Sequence, residues 1–76
     1  MSELRTLDQL GPGQTATVKK IGGERPLRRR IMDMGVTRGA EIAMIRAAPM
    51  GDPIEYLVRG YHLSLRRSEA QLIEIE

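Results

Sequence analysis

Seventy-six residues, 41% of them apolar and 29% charged, fit one small globular domain and exclude a disordered or bilayer-embedded chain. Twelve basic residues against ten acidic ones leave a net charge of only +2, too balanced to single out nucleic acid as a partner. Without a cysteine there is no disulfide framework, no thiolate-bound zinc and no thiol nucleophile.

Size restricts function further. A chain of this length buries about 60% of its unfolded surface, so an enclosed pocket of roughly 300 Å³ would remove much of its packing. Two tyrosines are its only aromatics, so aliphatic residues and five methionines must fill the interior. The opening Met1-Ser2-Glu3-Leu4-Arg5 has neither the basic start nor the apolar run of a leader. The longest uninterrupted aliphatic stretch, Ile42 to Ile45, cannot span a bilayer. A single domain over 1–76, cytoplasmic and not inserted in a membrane, is the expectation.

Along the chain, Thr6-Leu7-Asp8-Gln9 has the spacing of a capping box, predicting one helical turn that carries Leu7 and Leu10. Gly11-Pro12-Gly13 forces a turn, because proline presets φ and the following glycine accepts positive φ. From Gln14 to Ile21, Ala16 and Val18 alternate with Thr15, Thr17 and Lys19, the pattern of a half-buried strand that ends at Gly22-Gly23. Arg25 to Met34 reads as the one α-helix, with Pro26 in its first turn and Leu27, Ile31 and Met34 in a single stripe. Gly35 suits the left-handed position after the helix, letting Val36 fold back on the last turn.

Short strands follow. Ala40 to Ala47 turns Ile42 and Met44 inward, and Ile54 to Arg59 forms the next strand. Between them, Pro49-Met50-Gly51-Asp52-Pro53 is a loop, since its prolines cannot donate to a central sheet. Gly60 permits a tight bend into Tyr61 to Arg66, where Leu63 and Leu65 alternate with His62, Ser64 and Arg66. Ser68-Glu69-Ala70-Gln71 repeats the capping-box spacing, and Leu72 to Glu76 closes the chain with Ile73 and Ile75 inward. The expected fold is mainly β: a small, closed or nearly closed barrel of five to six strands with one short helix at residues 25–34.

These residues resemble the FeoA family along nearly the whole chain. The resemblance is carried by Leu27, Arg30-Ile31-Met32-Asp33-Met34-Gly35-Val36 and Gly39. It continues through Ala48-Pro49-Met50-Gly51-Asp52-Pro53-Ile54, Leu63-Ser64-Leu65-Arg66, Glu69-Ala70, Ile73 and Ile75. It implies an SH3-like barrel that serves ferrous iron uptake beside a FeoB-type permease, a membrane protein with a cytosolic GTP-binding domain. It also implies kinship with the C-terminal SH3-like domain of iron-dependent repressors, which keeps a regulatory or nucleic-acid-associated role as the alternative. For nucleic acid, Tyr56 and Tyr61 would be the only stacking platforms.

No catalytic signature is present: neither Gly-x-Ser-x-Gly nor the phosphate-cradling Gly-x4-Gly-Lys loop occurs. The chain is read as a non-enzyme without cofactor. His62, the single histidine, cannot build a typical four-ligand zinc site and is expected to face solvent. The methionines are expected to pack, since thioethers favour Cu(I) over ferrous iron. Candidate partner contacts are Pro49, Met50 and Asp52 on the stiff loop and Arg29 and Arg30 on the helix. Their plainer roles are a turn in which Asp52 bonds a nearby backbone N–H, and a solvated helix face. Homo-oligomerisation through a strand such as Leu72 to Glu76 stands beside the permease as a second mode of association.

Overall fold

In the computed structural model, which describes residues 5–76, the five alternating segments become strands and Arg5–Thr6 adds a sixth, all antiparallel, in the order β1-β6-β2-β3-β4-β5. They are β1 (Arg5–Thr6), β2 (Thr15–Ile21), β3 (Glu41–Ala47), β4 (Ile54–Val58), β5 (Tyr61–Leu65) and β6 (Ile73–Ile75). Helix α1 (Arg25–Asp33) joins β2 to β3, the short α2 (Arg67–Ala70) joins β5 to β6, and a 3-10 turn at Leu7–Gln9 follows β1. The reading of residues 1–4 lies outside the described part. Among the described residues, no helix is long and apolar enough to cross a membrane.

The sheet wraps one core. Val18 and Ile21 of β2, Ile42 and Met44 of β3, Ile54, Tyr56 and Val58 of β4, Leu65 of β5 and Ile73 and Ile75 of β6 pack into a single buried cluster. Two register slips help a sheet this small to curl. One falls between Val18 and Lys20 on β2, the other between Met44 and Arg46 on β3. Among the described residues, the ladders run from β1 to β5 without pairing those two strands, so the barrel is nearly closed. Beneath the sheet, the Tyr56 hydroxyl donates to the Leu7 carbonyl oxygen at 3.4 Å and pins the 3-10 turn against β4.

Helix α1 ends by the expected route. Met34 is its C-cap and Gly35 follows at φ +99°, a conformation that favours glycine. The Gly35 N–H donates to Met32 at 3.0 Å and the Val36 N–H to Ile31 at 3.4 Å, a Schellman closure. Ile31 and Val36 are fully buried, so this closure clamps the helix to the core.

Two local readings are corrected. The second capping box lies two residues earlier than its spacing suggested: Arg66 is the N-cap, and its N–H donates to Glu69 Oε1 at 2.8 Å. In the helix that starts there, Ala70 is fully buried in the core. The alternation of β2 also fails after Val18, where the register slip makes Lys19 an extra residue.

Candidate functional site

The loop between β3 and β4 is held at its base and open at its tip. The Gly51 N–H donates to Ala48 at 2.7 Å and the Ala48 N–H to Pro53 at 2.9 Å, while Gly51 sits at φ +88°. The Asp52–Pro53 peptide is cis. Asp52 accepts a backbone N–H as expected, but from Arg67 at the start of α2, at 2.8 Å, and not from its own turn. The Arg67 guanidinium returns the contact, donating to the Gly51 carbonyl at 3.0 Å. The loop is thereby fastened to α2. Pro49 is exposed, and Met50, 92% exposed, contributes nothing to the core.

The three consecutive arginines of α1 go to three places, as a turn of about 100° per residue dictates. Arg30 pairs with Glu69 on α2. Arg29 lies on the open face with Arg25. Arg28 faces β2. Of the residues singled out from sequence, Asp52 and Arg30 therefore converge on α2, while Pro49, Met50 and Arg29 remain available at the surface.

The sequence reading missed a basic groove between β2 and α1. It has a volume of about 540 Å³ and is lined by Lys19, Lys20 and Ile21 on one side and Arg28, Met32 and Arg38 on the other. The β2 register slip creates it, because strict alternation would have sent Lys19 and Lys20 to opposite faces. The doubled lysine within an alternating strand was the only signal. Among the described residues, none of these four cations takes part in an ion pair.

A separate polar cluster crosses three strands. Glu55 on β4 accepts from Arg46 Nε on β3 at 3.2 Å and lies 2.9 Å from His62 Nδ1 on β5. Hydrogen bonds from Arg46 and then His62 hold the Glu55 carboxyl below its ordinary range. His62 faces solvent as expected. Among the described residues, no three histidine or carboxylate side chains gather where they could hold a metal.

Tyr56 is not a stacking platform. It is fully buried because β4 turns Ile54, Tyr56 and Val58 inward together, leaving Tyr61 as the one exposed tyrosine.

Known proteins share this architecture. The FeoA domain family matches residues 5–76. A fusion protein of Porphyromonas gingivalis, named as Fe(2+) transport protein A joined to the Fe(2+) transporter FeoB, is 37% identical over 70 residues. The match covers 92% of this chain and 8% of that relative's length. The solution structure of a FeoA-like protein from Clostridium acetobutylicum superposes with a TM-score of 0.88 at 46% identity, covering 100% of this chain and 88% of that one. The zinc complex of Stenotrophomonas maltophilia FeoA, described as a prokaryotic SH3 domain protein, superposes with a TM-score of 0.79 at 26% identity, covering 95% and 89%. A manganese-dependent transcriptional repressor shares the fold alone, at 20% identity with a TM-score of 0.86, over 100% of this chain and 37% of its own. With the helix-to-glycine closure, the Ala-Pro-Met-Gly-Asp-Pro loop and the six-stranded SH3-like barrel all in place, the chain belongs to the FeoA family.

Proposed function

We propose that this chain is a small, single-domain accessory protein of ferrous iron uptake that docks on the cytosolic part of a FeoB-type permease and modulates it. The observation that carries this reading is the Porphyromonas gingivalis fusion, in which a segment 37% identical to this chain is joined to the transporter FeoB. Two functions joined in one polypeptide act at high effective concentration, which favours partners that work in contact.

The mode of action is binding, not catalysis. A protein that prefers one conformer of the permease shifts the permease towards it, with no chemistry of its own. The exposed Pro49 and Met50 on a fastened loop, and the open face around Arg29, are surfaces that lose little entropy on docking. Asp52 and Arg30 support that surface by tying the loop and α1 to α2. The protein works in the cytoplasm, at the inner membrane only through its partner.

Two measurements test this: capture of the permease's cytosolic G-protein domain by the purified chain, and ferrous uptake in a strain lacking it. Capture together with impaired uptake is the expected result. Normal uptake without the chain would refute the transport role. The nucleic-acid alternative has weaker support, because Tyr56 is buried and Tyr61 lines a different groove, with Asp33 and His62.

A further inference from the structure

We infer that the groove between β2 and α1 is a docking site for an acidic protein segment that inserts one aliphatic side chain. The inference rests on the docking proposed above and names a surface for it distinct from the Pro49–Met50 loop. Lys19 and Lys20 stand on one wall, Arg28 on the other, and Arg38 follows α1 at the end. Ile21, nearly buried, forms the floor, and Met32, 44% exposed, stands beside it.

Charge complementarity chooses the occupant. Four cations gather here on a chain whose net charge is only +2, and among the described residues none of them is neutralised by an ion pair. Two carboxylates adjoin the groove without, among the described residues, forming an ion pair with its cations: Glu74, opposite Lys20 in the ladder, and Asp33, which lines a neighbouring recess with Arg25, Arg28, Arg29 and Met32. Carboxylates of a partner would satisfy the free ammonium and guanidinium groups, and Arg28 and Arg38 could each take one bidentately.

Shape separates a protein segment from other anions. A bilayer is flat and would meet the basic rim without filling a recess whose floor is Ile21. A single strand of nucleic acid stacks its bases on aromatic rings, and no aromatic side chain lines this groove. An aliphatic side chain fits between Ile21 and Met32, whose thioether adapts to varied apolar shapes.

The test uses the full chain and a short synthetic peptide with one leucine among glutamates, labelled for fluorescence anisotropy. Binding is expected at low salt, weakening as salt shortens the Debye length to about 8 Å at physiological strength. Arg28→Glu with Arg38→Glu should weaken it at least about tenfold, and replacing the peptide leucine by serine several-fold. These exposed substitutions leave the core intact; the neutral pair Arg28→Gln and Arg38→Gln, read beside thermal melts, guards against a folding defect. No peptide binding, equal binding by the variants, or binding to phosphatidylglycerol vesicles or an oligonucleotide in place of the peptide would overturn the inference.

A parallel titration with the permease's cytosolic domain separates the two proposals. If the native chain binds that domain and the charge-reversed variant binds equally well, the groove is the wrong surface and docking stands. If the native chain fails to bind it, docking falls, and the peptide titration still decides what the groove accepts.

Discussion

Arg59 reaches from the β4–β5 turn to the end of α1, donating from Nε to the Gly35 carbonyl at 3.1 Å and from Nη2 to Thr37 Oγ1 at 2.7 Å. Two positive-φ residues are thereby joined. Arg59 sits at φ +51° and Gly60 at +83°, the two central positions of a hairpin turn in which Val58 pairs with Tyr61, and Gly35 terminates the helix. The barrel has no covalent staple, so such contacts between turns keep α1 seated.

Replacing Arg59 should therefore expose two separate costs. Arg59→Ala loses both side-chain bonds and keeps an unfavourable left-handed backbone, for a destabilisation of about 1–3 kcal/mol in urea unfolding. Arg59→Gly loses the same bonds without that strain and should be less harmful by about 1 kcal/mol. Equal losses for the two variants would place the whole effect in the side chain.

The position of α2 makes a second comparison. Glu69→Ala removes the acceptor for the Arg66 N–H and the partner of Arg30, and should cost about 1 kcal/mol in a denaturant melt. Ser68→Ala touches neither contact and should stay within about 0.5 kcal/mol of the native protein. The reverse order would restore the capping box at Ser68.

Tyr56 gives the fold an alkaline limit. Burial, reinforced by the charge of Asp8 and eased by Arg67, pushes its hydroxyl from 10.0 up to about 12. A group whose pKa rises on folding favours the native state fully below its unfolded value, and that stability is lost as pH climbs from about 10 to 12. At about 1.4 kcal/mol per unit, roughly 2–3 kcal/mol goes over this interval. In a Tyr61→Phe background, tyrosinate absorbance reports Tyr56 alone and should appear together with unfolding. Tyr56→Phe should lack this alkaline loss.

The loop between β3 and β4 separates recognition from stability. Met50→Ser removes an apolar tip without changing the core, so its melting should match the native protein while affinity for the permease's cytosolic domain falls. Asp52→Ala frees the Arg67 N–H and should cost about 1 kcal/mol. Asp52→Asn keeps an oxygen acceptor and should cost less. Full affinity in Met50→Ser would remove this loop from the interface.

Periodicity determined five of the six strands, because inward residues at every second position leave one register that buries them, whereas the two-residue β1 carries no such pattern. The α1 boundaries were equally legible, since Pro26 and Gly35 have narrow backbone preferences and Ile31 marks the buried stripe. The loop at residues 49–53 and the solvent-facing His62 were read correctly for the same local reasons. What only the tertiary structure decided was how distant segments meet. Asp52 found its N–H donor on α2, and a register slip opposite β6 put Lys19 and Lys20 on one groove with Arg28 and Arg38. Those outcomes depend on pairing between strands far apart in the chain, and no local pattern encodes which side chains such pairing brings face to face.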